Sequence, residues 1–96
     1  MSAYCLFDNL EVIDAAKLEE YKSRVAPVVE KYGGRYVVLG GKVELMEGQW
    51  RPTFPVMIEF PNLDRARQWY FSDEYRELKE LRLSAMKSNA VLLEGL

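Results

Sequence analysis

Two carboxylates stand where apolar side chains are expected. Glu59 breaks the apolar run Phe54–Phe60, and Asp8 breaks the alternation that starts at Tyr4. A carboxylate on a covered sheet face is either ion-paired or holds a raised pKa, and a raised pKa suits a general base. The competing reading pairs Glu59 with Arg35 or Arg82, or leaves it at a wet rim. Arg82 takes a position in an apolar helical stripe, which calls for a buried anionic partner, either a ligand or Glu59. Trp69, Tyr70 and Tyr75 fall on or beside helical stripes, where aromatics pack a core. Tyrosine hydroxyls beside an arginine also polarise a carbonyl or hold an enolate or carboxylate. The catalytic candidates are therefore Glu59, Asp8, Tyr70 and Arg82, and the ligand-binding candidates Arg35, Trp69 and Tyr75.

What is missing narrows the chemistry further. The 96 residues contain no histidine and one cysteine. That removes Ser-His-Asp and Cys-His machinery, histidine-ligated haem and nearly all zinc or non-haem iron sites, so no metal and no cofactor is called for. Cys5 lies in the apolar run Tyr4–Phe7 and reads as a buried thiol, with a nucleophile as the alternative. Gly33-Gly34 and Gly40-Gly41 lack the strand-to-helix setting of a phosphate-binding loop and serve backbone geometry. With 13 basic and 15 acidic residues, a net charge of −2 and a pI of about 5.2, no broad basic surface exists for nucleic acid or anionic lipid. No apolar run is long enough to span a membrane, and Met1-Ser2-Ala3-Tyr4 lacks the plan of a signal peptide. A cytoplasmic protein of one domain over residues 1–96 is the expectation.

The elements that must position these residues follow from periodicity. Tyr4–Val12 alternates as a first strand. Asp14 caps a helix whose stripe is Leu18, Tyr21, Val25, Val28 and Tyr32; Pro27 predicts a kink or an end near Ala26, and Gly33-Gly34 closes the element. Arg35–Glu47 reads as a long second strand bent at Gly40-Gly41, and Phe54–Phe60 as the third. Between them, Trp50 and Arg51 form either a lid or a dimer contact. Asn62 caps a short helix carrying Trp69 and Tyr70, Ser72 caps another carrying Tyr75, Leu78 and Ala85, and Ser88-Asn89 ends it before a last strand at Ala90–Leu93.

This order is β-α-β-β-α-β: an α+β, ferredoxin-like, four-stranded antiparallel sheet. Two right-handed crossovers put the helices on one face. Val56-Met57-Ile58 and Val91-Leu92-Leu93 are nevertheless apolar on both sides of the pleat. Leaving about six such side chains in water forgoes on the order of 10 kcal/mol, as much as a whole domain's stability. A homodimer is the simplest cover.

Particular stretches carry a family likeness: Gly33-Gly34-Arg35-Tyr36, Gly40-Gly41-Lys42-Val43-Glu44, Glu47-Gly48-Gln49-Trp50-Arg51-Pro52, Ala66-Arg67-Gln68-Trp69-Tyr70-Phe71-Ser72-Asp73-Glu74-Tyr75 and Val91-Leu92-Leu93-Glu94-Gly95. Together they resemble domain-of-unknown-function family 1330, within the dimeric α/β-barrel superfamily. The resemblance spans essentially the whole chain and implies the fold and the dimer. The wider superfamily includes cofactor-independent monooxygenases, muconolactone-isomerase-like proteins and haem-handling enzymes, with sites between helices and sheet; the last depend on histidine, and this sequence departs from them. Three readings follow. The first is a cofactor-free oxygenase or isomerase acting on a small apolar or aromatic acid or ketone, with Glu59 or Asp8 as base and Tyr70, Tyr75 and Arg82 orienting the substrate. The second is a module that binds such a small molecule without turnover, and the third is a purely structural dimer.

Overall fold

The computed structural model describes residues 1–96. Its elements are β1 (Ala3–Val12), α1 (Ala15–Lys31), β2 (Arg35–Leu39), β3 (Pro55–Phe60), α2 (Leu63–Tyr70), α3 (Asp73–Ala85) and β4 (Met86–Glu94). The four strands form one sheet in the order β2-β3-β1-β4, with every neighbouring pair antiparallel. Two split β-α-β units interlock: β3 lies between β1 and β2, and β1 lies between β3 and β4. The expected ferredoxin-like topology is present, its second crossover divided into α2 and α3.

Each helix begins at a side-chain cap anticipated from the sequence. Asp14, Asn62 and Ser72 accept from the backbone N–H groups of Lys17, Arg65 and Tyr75. Alternation then decides the core. Ala3, Cys5 and Phe7 of β1 and Val56, Ile58 and Phe60 of β3 point under the helices and are buried. They meet Leu18, Tyr21, Val25 and Val29 of α1 and Trp69, Tyr75 and Leu78 of α2 and α3.

Three boundaries differ from the sequence expectation. Helix α1 runs through Pro27 to Lys31 instead of ending near Ala26. One missing N–H is outweighed by the last turn, where Val29 is fully buried. There Gly33 (φ +82°) donates to Glu30 O at 2.9 Å and Gly34 to Val29 O at 3.0 Å, a Schellman closure. Strand β2 stops at Leu39 rather than Glu47, because Gly40 and Gly41 take φ of +74° and +79° and leave the sheet. Residues 40–54 then cross to β3 without regular structure. Helix α3 ends at Ala85, and β4 starts at Met86, so Ser88 and Asn89 lie within a strand opposite Asn9 and Asp8. The helix stops there because Ala85 O accepts from both Ile13 N (2.7 Å) and Asp14 N (3.0 Å), which satisfies its terminus without a connecting loop.

The other face of the sheet has no layer on it. Val38, Met57, Leu6 and Val91 are register partners in sequence across all four strands, and Tyr4 and Leu93 lie in the next row. Val91 is 52% exposed and Leu93 44%. The chain is a slab only 17 Å thick, one sheet and one helix layer. No helix is long and apolar enough to cross a membrane.

Candidate small-molecule cavity

Tyr75 and Arg82 lie seven residues apart on α3 and so share the face turned to the sheet and to α1. Arg82 is 4% exposed. Its Nε donates to Tyr75 Oη at 3.2 Å and its Nη1 to Ser88 Oγ at 2.9 Å, while the guanidinium lies 5.0 Å from the Phe7 ring centroid. No carboxylate pairs with it; the side chains that act on its charge are Tyr75, Tyr21 and Tyr70. Burial pulls the pKa of Arg82 down, and these phenol oxygens turn the net shift upward. Helix α1 supplies Tyr21, whose hydroxyl is 2.9 Å from that of Tyr75. Burial first, and then the neighbouring Tyr75, push the Tyr21 hydroxyl far above its ordinary range; burial and Tyr75 likewise raise Tyr36 to about 12.

Arg82, Tyr21 and Tyr36 face a cavity of about 510 Å³ between α1, the end of α3 and the sheet, a volume usual for small-molecule sites. Phe7, Val56 and Ile58 form its floor, Leu18 and Val25 one wall, and Phe54 its far end. Its polar side chains are Asn9, Tyr21, Lys22, Tyr36 and Arg82. Lys22 sits at the rim, its Nζ 3.5 Å from Glu19 Oε1. No aspartate or glutamate lines the space. The arrangement can grip one oxygen function of a ligand and surround the rest with hydrocarbon.

Of the seven residues expected from sequence, Arg82 alone lines this cavity, and Tyr75 stands directly behind it. Glu59 faces the opposite, open side of the sheet, beside its register partners Tyr4 and Arg35. Its Oε1 accepts from Arg35 Nε at 2.8 Å and its Oε2 from Tyr4 Oη at 3.1 Å. The Arg35 and Tyr4 hydrogen bonds hold its carboxyl below the usual range, the reverse of the raised pKa expected for a base. Asp8 is engaged too: its Oδ1 accepts from Thr53 N (2.8 Å) and Phe54 N (3.3 Å), tying the 40–54 segment to β1. Arg35 is an exposed edge residue. Trp69 is fully buried against Phe7, Phe60 and Tyr75, and its Nε1 has no acceptor. Tyr70 carries Lys79 over its ring at 4.4 Å and borders a second hollow of about 230 Å³, with Cys5 and Phe71. Burial raises the Cys5 thiol to about 11, which makes it a poor nucleophile. Trp50 is exposed on its loop, and Arg51 Nη2 reaches Val43 O at 3.4 Å.

Sequence reasoning missed Tyr21, Tyr36, Asn9 and Lys22 as cavity residues. Tyr21 belongs to the apolar stripe of α1, so periodicity marks it as core; only the position of α3 reveals that its hydroxyl meets Tyr75. No three His, Cys, Asp or Glu side chains converge to hold a metal ion.

A family model described as "Domain of unknown function (DUF1330)" matches residues 2–96. No curated protein matches the chain. Among solved structures, a protein of unknown function from Rhodopseudomonas palustris superposes with a TM-score of 0.75 at 21% identity, covering 99% of this chain and 82% of that one. SnoaB, a cofactor-independent oxygenase from Streptomyces nogalater, reaches a TM-score of 0.64 at 15% identity, covering 99% and 91%. A dimeric protein of unknown function and ferredoxin-like fold from Bacteroides fragilis reaches 0.61 at 11% identity, covering 98% and 96%. At these identities the likeness is one of fold.

Proposed function

The chain belongs to the family described as Domain of unknown function (DUF1330), and for this member we propose a homodimer that binds a small apolar or aromatic acid or ketone and acts on it as a cofactor-independent oxygenase or isomerase. The observation that carries this reading is the cavity of about 510 Å³, hydrocarbon-walled apart from a few polar side chains that include a buried arginine without a carboxylate. Arg82 and Tyr21 would hold the oxygen of the ligand, Tyr36 would add a second hydroxyl, and Tyr75 would position both Arg82 and Tyr21. This reading gives no part to Glu59, which accepts from Arg35, or to Asp8, which accepts from Thr53 N. The fold shared with an oxygenase that needs no cofactor makes such chemistry compatible with this scaffold.

The dimer rests on the open face. Val38, Met57, Leu6 and Val91 form an apolar stripe that a second copy would cover by two-fold symmetry. One fact favours binding without turnover as the second reading: the cavity holds no carboxylate or histidine to move a proton.

A thermal-shift series with 2-naphthoate and 1-tetralone separates the readings, since a ligand of the folded state stabilises it by mass action. Stabilisation that is lost when Val25→Trp fills the cavity supports the site, and oxygen uptake or isomer formation with either compound then marks an enzyme. No stabilisation by any apolar acid or ketone would leave the structural dimer.

A further inference from the structure

We propose that the cavity takes its ligand as a preformed oxyanion, the conjugate base of an acidic phenol or enol, and that Arg82 is the residue that selects the charge. This rests on the small-molecule reading above and goes beyond it in naming the ionisation state and class of the ligand.

The first support is the state of Arg82. A guanidinium offers five N–H donors, and the chain occupies two, with Tyr75 Oη and Ser88 Oγ. Both acceptors are neutral hydroxyls. A cation that is 4% exposed and meets no carboxylate is an incomplete ion pair, and burying one without its counter-charge is costly. It borders the one large cavity on this face, so the missing negative charge is best supplied from there.

The second support is the lack of a proton acceptor. Around Arg82, α1 presents Tyr21 and the rim residue Lys22, β2 presents Tyr36, α3 presents Tyr75, and α2 contributes Tyr70 at longer range. β1 and β4 face it with Phe7, Met86 and Ser88, none of which titrates. The phenols hold their protons, since burial drives Tyr21, Tyr36 and Tyr75 upward, and the Lys22 ammonium lies beside Glu19. Asp8 and Glu59 are tied to the 40–54 segment and to Arg35. Nothing in the cavity can ionise a weakly acidic ketone. The ligand therefore has to be acidic enough to lose its O–H proton to water on its own, and no other bond is made or broken on binding.

The third support is directional. Tyr75 Oη accepts from Arg82 and lies 2.9 Å from Tyr21 Oη. If Tyr75 passes its own proton toward Tyr21, the Tyr21 O–H is free to donate into the cavity. One oxyanion can then accept from Arg82 and Tyr21 together.

The probe is 4-nitrophenol, whose phenolate has its own visible band, with 4-nitroanisole as the neutral shape control. With the intact protein, the phenolate should bind about tenfold or more tightly than the phenol, so that the ionisation midpoint of the bound probe falls by about one unit. Calorimetry in two buffers of different ionisation enthalpy, at a pH midway between the bound and free midpoints, should register about half a proton released per probe bound. Arg82→Met should abolish the preference, Arg82→Lys should retain much of it, and Tyr21→Phe should reduce it several-fold. If nitroanisole binds as well as the phenolate, or nitrophenol binds without releasing a proton, the oxyanion inference is overturned while the small-molecule reading survives. If neither probe binds while 2-naphthoate or 1-tetralone still stabilises the protein, the oxyanion inference alone is overturned; if none of the four binds, both readings fall. The calorimetric result needs no variant, so an Arg82 substitution that fails to fold does not decide the matter.

Discussion

Arg35 and Arg82 occupy opposite faces of the same sheet, and their surroundings are inverted. Arg35 sits on the open face at the sheet's edge, exposed to water, with its carboxylate partner 2.8 Å away. Arg82 sits under the helices, almost fully buried, and its partners are hydroxyls. Electrostatics alone would place them the other way round, since a buried charge needs a counter-ion far more than an exposed one does. The face whose charges are already paired offers an apolar stripe to another surface. The face that leaves a charge unpaired encloses a cavity. The first arrangement suits a protein–protein contact and the second a ligand.

The largest effect should come from placing a charge in the middle of the open face. Leu6 is flanked by Met57 and Val91. In a dimer built on this face, Leu6→Glu buries two unpaired carboxylates near the two-fold axis, each costing about 3–5 kcal/mol. Sedimentation at micromolar concentration should show a dimer for the parent chain and a monomer for the variant. A parent that sediments as a monomer with ordinary stability would remove the contact assigned to this face.

Next comes the inverted test on the covered face. Replacing a buried ion pair by apolar side chains of similar volume is often neutral or stabilising by about 1–4 kcal/mol, and Arg82 has no carboxylate partner that its removal would strand. Arg82→Met should accordingly leave the urea midpoint unchanged or raise it, while removing the preference for an anionic ligand. A large loss of stability would mean that the guanidinium holds the fold together through Tyr75 and Ser88, and that the cavity needs no counter-charge.

Several of these features were legible in the chain itself. Caps at Asp14, Asn62 and Ser72, alternation in β1 and the doubly apolar third and fourth strands lead to the ferredoxin-like order and to the uncovered face. What periodicity could not settle was which face a strand carboxylate occupies. Glu59 is one residue from Ile58 and Phe60, and a shift of one position moves a side chain from the core to the other side. Tyr21 was hidden for the opposite reason, because the buried stripe that identifies it as core also carries its hydroxyl to the cavity. Arg82 was the exception: a cation in an apolar stripe is anomalous from sequence alone, and the anomaly marks the cavity wall. The strand ends were missed where backbone bonding outweighed residue type, as at Ala85, whose carbonyl accepts two N–H groups from the β1–α1 junction.

A smaller effect belongs to the hydroxyl pair. Tyr21→Phe keeps the ring packed at a T-shaped angle against Tyr75 and deletes one 2.9 Å hydrogen bond. The loss of stability should be about 0.5–1.5 kcal/mol by urea denaturation. An unchanged midpoint would indicate that water or a ligand, rather than Tyr75, is the partner that matters to the Tyr21 hydroxyl.

The smallest effect, and the most diagnostic in its pH dependence, concerns Glu59. Hydrogen bonds from Arg35 and Tyr4 depress its pKa in the folded state, so its contribution to stability is fully present above the ordinary carboxylate range. That contribution disappears as pH falls through the depressed folded-state value. Glu59→Gln lacks it at every pH. The parent should therefore be slightly the more stable of the two at neutral pH, and their urea midpoints should converge in acid. Ligand binding in the cavity should be the same in both, since the sheet separates Glu59 from Arg82. Midpoints that diverge on acidification would reverse the sign of the Glu59 shift, and a change in ligand affinity would show that the two faces are coupled through β1 and β3 rather than independent.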